Sequence, residues 1–192
     1  MIQRPAGALE PLSLTIVRPG RVAAIQGAPG QGVSVVQTGM LWACVVGPDG
    51  NRVVLDVLGP GDAVGMPEGV PASCEVRAAS PVRLRPVRGH EAETALAARH
   101  RRDVALILDL ASAGAAERVE RRLVDLAERL GRPVPGGLRI PLVLTQEDLA
   151  GLAATSRETV NRALRGLVRH GRLEVERRGR YVVRHQLRLV GG

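Results

Sequence analysis

Residues 144–171 limit the possible folds of this chain most strongly, because they predict two short helices with a tight break between them. Thr145, followed three residues later by Asp148, is typical of a helix N-terminus at which side chain and backbone bond reciprocally. After the break, Thr155 or Ser156 can cap the second helix. The apolar positions that we expect to face a core at helical spacing are Leu149, Leu152, Val160, Leu164, Leu167 and Val168.

The outward face of the second helix carries long polar side chains at and just beyond its first turn. These residues are Arg157, Glu158, Asn161, Arg162 and Arg165. An arginine can donate two hydrogen bonds to guanine, while a glutamate can accept one from the amine of cytosine. Hydroxyls and free backbone amides at a helix start can bind phosphate, which adds Ser156 and Thr159. The pattern predicts a recognition helix that reads a G·C-containing site in a major groove.

A basic hairpin is predicted after the second helix, with strands at 173–176 and 181–184. Its connection, Arg177-Arg178-Gly179-Arg180, suits a wing that contacts the DNA backbone. A merely solvated helix would also have polar residues outside, and a winged helix used for protein assembly would have apolar ones. The two capped helices, the hairpin and the charged face together favour double-stranded DNA.

The distribution of charge points to the same part of the chain. The formal net charge is +8, and every basic residue other than histidine is an arginine. Residues 115–192 carry 16 arginines against 9 acidic residues, whereas residues 1–88 have a net charge of +2 and residues 89–114 of −1. We therefore expect the site for a polyanion in the last third.

The first 88 residues predict an antiparallel barrel or sandwich, because short apolar runs alternate with Gly and Pro. The predicted strands are 12–17, 33–38, 41–46, 52–58, 74–78 and 82–87. A helix over 91–111 follows, with one apolar stripe at Val104, Ile107 and Ala111 and another at Leu96, Leu106 and Leu110. One stripe can cover the barrel and the other can meet a second subunit, although a helix buried within a monomer is the alternative.

A further helix is predicted over 115–130, ending at Gly131, and residues 131–137 are expected to form a Gly/Pro linker. The chain has no run of 18 apolar residues and no secretory pattern at its start, so we expect a cytoplasmic protein without a membrane partner. Cys44 and Cys74 lack metal-ligand spacing and the histidines do not cluster, which predicts no metal and no cofactor. No nucleophile–base pair stands out, so an enzyme is not expected.

The motif from Leu144-Thr145-Gln146 through Ser156-Arg157-Glu158-Thr159-Val160 to Arg162 resembles the DNA-binding signature of the CRP/FNR regulators, the cyclic-AMP receptor protein group. Thr38-Gly39 and Gly59-Pro60-Gly61-Asp62 resemble turns of that family's cyclic-nucleotide-binding β-roll. The resemblance covers nearly the whole chain and implies a bacterial transcription regulator. It further implies a homodimer, paired through the long helix, that binds TGTGA-like half-sites and contacts RNA polymerase.

The resemblance assigns roles to individual residues. It implies base reading by Arg157, Glu158 and Arg162, and phosphate contacts by Thr145, Gln146, Ser156 and Thr159. To these the basic hairpin adds Arg178 and Arg180. The usual glycine of the helix-turn-helix corner is Ala154 here, which costs about 1 kcal/mol if that turn is left-handed.

The sensor region departs further from the family pattern. Nucleotide-binding members carry a glutamate for the ribose and an arginine for the cyclic phosphate, and Met66 and Ala72 occupy those positions here. A buried phosphate without a cation is costly, so we expect no cyclic-nucleotide effector. Gating by another ligand or by oxidation of Cys44 or Cys74 is an alternative, as is a ligand sensor whose winged helix serves assembly.

The expected fold is therefore α+β. An antiparallel β-roll sensor-type domain spans residues 1–88, a dimerisation helix 89–114, and a winged helix-turn-helix DNA-binding domain 115–192.

Overall fold

The computed structural model describes residues 15–48, 52–177 and 179–184. Eight strands come first: β1 (Thr15–Val17), β2 (Val22–Ala24), β3 (Gly32–Thr38), β4 (Leu41–Val46), β5 (Arg52–Leu58), β6 (Ala63–Met66), β7 (Glu75–Ala78) and β8 (Val82–Val87). They form two four-stranded antiparallel sheets, ordered β1-β8-β3-β6 and β2-β7-β4-β5. Alternating apolar side chains, among them Val36, Leu41 and Val82, fill the space between them. The predicted antiparallel barrel or sandwich is confirmed, and β2 and β6 are additions to it.

Two helices follow, α1 (Gly89–Ser112) and α2 (Ala115–Leu130). The amphipathic α2 buries Val119, Leu123 and Leu126, whereas α1 has no fully buried residue. Gly131 ends α2 as predicted, and its amide donates to Ala127 O. No described helix is both long enough and apolar enough to span a bilayer.

The predicted linker over 131–137 is wrong, because these residues begin a hairpin of β9 (Arg132–Val134) and β10 (Gly137–Arg139). Gly136 supplies the positive φ, +80°, that this tight turn needs. Pro133 lies in β9, an edge strand, where its missing amide proton costs no internal ladder bond. With strands of only three residues, the hairpin resembles a loop at the level of sequence.

The last part of the fold comprises α3 (Gln146–Leu152), α4 (Arg157–Arg169), β11 (Leu173–Glu176) and β12 (Arg180–Arg184). Strands β11, β12, β10 and β9, in that order, form a sheet, which we call the wing sheet. One face of it buries Leu173, Tyr181 and Val183 against α2, α3 and α4. Val168 was expected to face this core but is 45% exposed, because it lies at the edge of the apolar stripe of α4.

The helical unit packs directly on the β-roll through β5. A Cβ atom added at Gly151 of α3 would lie 3.1 Å from Val54 N, and Val57 belongs to the same core as α2, α3 and α4. The domain boundaries after residues 88 and 114 remain a prediction.

Candidate nucleic-acid interface

The two helices after residue 144 start at the predicted caps. Thr145 and Asp148 form a capping box, in which Asp148 N donates to Thr145 Oγ1 at 3.0 Å and Thr145 N donates to Asp148 Oδ2 at 2.7 Å. At the start of α4, Ser156 Oγ accepts from Thr159 N at 3.2 Å and donates to Thr159 Oγ1 at 3.1 Å. These local bonds fix where each helix begins and place the hydroxyls at the surface.

Between these helices, the chain turns through Ala154, whose φ is +44°. The corner is therefore left-handed, which is the case in which alanine in place of glycine is strained. Arg118 of α2 stabilises the turn, because its Nε donates to Ala153 O at 2.8 Å and its Nη2 to Ala154 O at 3.0 Å. Sequence reasoning missed Arg118, which lies 36 residues before Ala154 and gives no local signal.

The exposed face of α4 brings together the predicted base readers. Arg157, Glu158 and Arg162 are exposed, while Val160, Ala163, Leu164 and Leu167 are buried on the opposite face. Arg157 Nε lies 3.4 Å from Gln146 Oε1, and Arg162 Nη2 lies 3.4 Å from Thr159 Oγ1. Within the described ranges neither of these arginines pairs with a carboxylate, so both guanidinium groups are available to an outside acceptor.

The wing turn is held against the segment that leads into α3. Leu144 N donates to Gly179 O at 2.9 Å, and a Cβ atom at Gly179 would lie 2.6 Å from Leu144 O. Arg180, exposed at the start of β12, is thereby placed near the beginning of α3, where Thr145 and Gln146 lie. The other predicted wing contact, Arg178, lies outside the described residues.

Comparison with known proteins identifies this arrangement. A family model for the Crp-like helix-turn-helix domain matches residues 117–189, and one for the cyclic nucleotide-binding domain matches residues 14–98. The chain is 31% identical over 174 residues to a CRP-like cAMP-activated global transcriptional regulator of Mycobacterium tuberculosis, covering 82% of this chain and 78% of that protein. This chain belongs to the CRP/FNR family of transcription regulators.

Solved structures of CRP/FNR proteins share the fold of this family member. TTHA1359, a transcriptional regulator from Thermus thermophilus, has a TM-score of 0.73 and 22% identity over 89% of this chain and 93% of its own. FixK2 of Bradyrhizobium japonicum has a TM-score of 0.77 and 23% identity over 94% and 98% of the two chains. The combination of β-roll, long helix and DNA-binding helix-turn-helix is thus confirmed.

In this CRP/FNR protein, α1 presents an exposed apolar stripe. Val104 is 41% exposed and Ile107 is 62% exposed, and Leu108 and Ala111 lie on the same surface. The first part of the helix contacts the β-roll, where Leu96 packs near Val33, Ala63 and Val87. Such an uncovered apolar stripe is typical of a subunit interface.

The segment from Met66 to Cys74 leads from β6 to β7, and we call it the sensor loop. Its residues Met66 and Ala72 lie beside a small cavity. Arg77 does not reach into it, because it pairs with Glu75 at 3.1 Å and donates to Gly20 O at 2.7 Å. The guanidinium that does line the cavity comes from α1, where Arg99 Nη2 donates to Cys74 Sγ at 3.1 Å. Arg99 was not predicted, because it lies 25 residues after Cys74 and no local sequence pattern links the two.

An ionic cluster joins the β-roll to α2. Arg129 lies 2.8 Å from Asp56, 3.3 Å from Asp62 and 3.0 Å from Asp125, and Arg102 of α1 lies 2.8 Å from Asp62. Burial raises the pKa of Asp56, although Arg129 opposes that rise. Burial alone would lower the pKa of Arg129, but the attraction of Asp56 and Asp125 outweighs it and raises the pKa. The pKa of Asp56 still rises, because its burial and the nearby charge of Asp125 outweigh the attraction of Arg129 and Arg102.

Proposed function

We propose that this protein is a homodimeric transcription regulator that binds palindromic, TGTGA-like DNA sites and requires no cyclic nucleotide. The observation that carries the proposal is the exposed face of α4, where Arg157 and Arg162 have no carboxylate partner among the described residues. These two arginines fit guanine edges, and Glu158 fits the amine of cytosine. Phosphate contacts set the register of the protein on the duplex. The residues that make them are Thr145, Gln146, Ser156, Thr159 and, in the wing, Arg178 and Arg180.

The exposed stripe of α1 supports the dimer. Two copies that pair along Val104, Ile107 and Ala111 cover apolar surface that one copy leaves in water. A two-fold dimer presents two recognition helices, which fit half-sites about 10 bp apart, one turn of DNA. RNA polymerase is the further partner that family membership suggests.

The proposed independence from cyclic nucleotides rests on the sensor loop. The Mycobacterium tuberculosis relative is described as cAMP-activated, but here Ala72 stands where a phosphate-pairing arginine is required. Met66 and Ala72 line a cavity of about 240 Å³, and no cationic side chain is among the described residues that line it. A ligand phosphate bound in this cavity would therefore have no cation to offset its loss of water.

The test is a DNA-binding titration of the ligand-free protein with two-fold symmetric duplexes. We expect two subunits on each duplex and tight binding when the half-site centres lie about 10 bp apart, with weaker binding when the spacing changes by about half a turn. One subunit per duplex, or equal binding at all spacings, would contradict the proposal.

The same titration with millimolar cyclic AMP or cyclic GMP tests the effector. We expect the DNA affinity to stay unchanged and calorimetry to detect no nucleotide binding. Micromolar nucleotide binding with a gain in DNA affinity, abolished by Arg99→Gln, would instead show that α1 supplies the missing cation.

A further inference from the structure

The outer face of the wing sheet, which points away from α3 and α4, is rich in arginine. Strand alternation places Tyr181 and Val183 on the core side, so that Arg180 and Arg184 project from the other. Arg139 lies on that outer side because its register partner is Val182, and Arg132 lies there because it pairs with Arg139. Four arginines thus share this face with the glutamates of β11, Glu174 and Glu176.

The glutamates neutralise only two of these arginines. Arg139 donates to Glu176, with Nη2 2.6 Å from Oε1, and Arg184 pairs with Glu174. Neither Arg132 nor Arg180 has a carboxylate partner within 15–48, 52–177 and 179–184, and both are exposed. Arg132 lies directly opposite Arg139 on the neighbouring strand, and because Glu176 pairs with Arg139, the charge of Arg132 is the one left without a carboxylate in this pair.

Three of the arginines surround one cavity. Arg132, Arg139 and Arg180, together with Ile140 and Pro141, line a space of about 260 Å³, which we call the basic pocket. The wall between the arginines is formed at Ile140, whose side chain belongs to the core, and at Pro141, which has no amide proton. Guanidinium groups around such a pocket suit the tetrahedral oxygens of a phosphate.

The position of the basic pocket relative to the wing indicates which backbone phosphate of the DNA it can contact. Arg180 belongs to the wing, next to the start of α3, whereas Arg132 lies in β9 at the far edge of the sheet. Two strand spacings, about 10 Å, separate β12 from β9, and this equals the rise of about three nucleotides along one DNA strand. The row of arginines therefore leads from the wing away from α4.

We propose that the basic pocket of Arg132, Arg139 and Arg180 binds a backbone phosphate of the DNA that flanks the half-site read by α4. The inference rests on the proposed DNA-binding function and extends it to two residues, Arg132 and Arg139, outside both the helix-turn-helix and the hairpin of β11 and β12. Flanking duplex then contributes to affinity without contributing to base preference.

The test compares two duplexes with the same palindromic site, one ending at the half-sites and one longer by about 10 bp on each side. Wild-type protein should bind the longer duplex more tightly. Arg132→Gln should lose about 3- to 8-fold per subunit on the longer duplex and lower the salt slope by about one per subunit, while it binds the short duplex like wild type. The matched control is Arg184→Gln, which removes a charge from the same face, outside the pocket, and should affect both duplexes equally.

Three outcomes would overturn the inference. Equal binding of the longer duplex by wild type and Arg132→Gln shows that the pocket does not touch flanking DNA. Tight binding of inorganic phosphate or pyrophosphate without DNA assigns the pocket to a soluble anion. Normal DNA binding by Arg132→Gln with reduced transcription in a purified polymerase assay assigns it to a protein contact. If wild type ignores the palindromic site on both duplexes, the proposed function fails instead.

Discussion

The corner at Ala154 shows which features of a single residue can be predicted from sequence and which cannot. The caps at Thr145 and Ser156 and the strained corner follow from local chemistry, so a short stretch of sequence predicts them. Arg118, which holds the corner by its carbonyl groups, and Arg99, which reaches Cys74, come from distant elements. No local pattern marks either arginine, because each contact exists only once the helices have packed.

The strain at Ala154 gives a prediction for stability. Ala154→Gly should raise the free energy of unfolding by about 0.5–1 kcal/mol, because glycine adopts this positive φ without the methyl clash. Chemical denaturation measures the change. Ala153→Gly is the matched control, since Ala153 is buried with a negative φ of −99°, and it should lower stability. A loss of stability in Ala154→Gly would show that the corner is not strained.

At the scale of elements, long periodic segments were predictable and short ones were not. Helix α2 has the predicted bounds, and α1 extends the predicted 91–111 by two residues at one end and one at the other. Strands β2, β6, β9 and β10 were missed, since three or four residues cannot show a clear alternation. These strands exist because neighbouring strands supply the ladder bonds, which is a tertiary cause.

The exposed stripe of α1 gives the prediction for an element. Ile107→Asp should convert the dimer to a monomer and weaken binding to a palindromic duplex, because a charge at the subunit interface would lose its water. Sedimentation measures the association and a titration the DNA affinity. Thr94→Asp places the same charge at an exposed polar position of the same helix and should leave both unchanged. If Ile107→Asp remained a dimer, the subunit interface would have to lie on another surface.

For the whole molecule, the sequence predicted the order of β-roll, long helix and winged helix. It did not predict which residues form the contacts between these parts. The contact of α3 with β5 and the cluster around Arg129 join residues that are far apart along the chain, such as Asp56 and Arg129, whose numbers differ by 73. From the sequence alone, each of these charged residues would be expected to lie on the surface. Their burial follows only from the docking of the DNA-binding unit on the β-roll.

The cluster predicts a pH-dependent loss in Arg129→Met. At pH 7 the variant should lose about 2–4 kcal/mol of stability, because Asp56 would stay charged and buried with only the more distant Arg102, 3.7 Å away, remaining from the cluster. Burial already raises the pKa of Asp56 in the folded protein, and removing Arg129 should raise it further. The variant can then take up a proton that wild type does not, so the difference should shrink as the pH falls towards the pKa of Asp56. Equal losses at neutral and acid pH, measured by denaturation, would contradict this coupling.

The most direct test of the account compares base readers with backbone contacts by competition binding across a half-site library at two salt concentrations. Arg157→Ala, Arg162→Ala and Glu158→Ala should each cost about 1–3 kcal/mol on the preferred site and little on random DNA, which reduces specificity. Arg180→Ala should weaken both kinds of DNA alike and lower the salt slope by about one. If Arg157→Ala and Arg180→Ala instead give the same uniform loss with unchanged base preference, α4 is not the reading helix and the proposed docking is wrong.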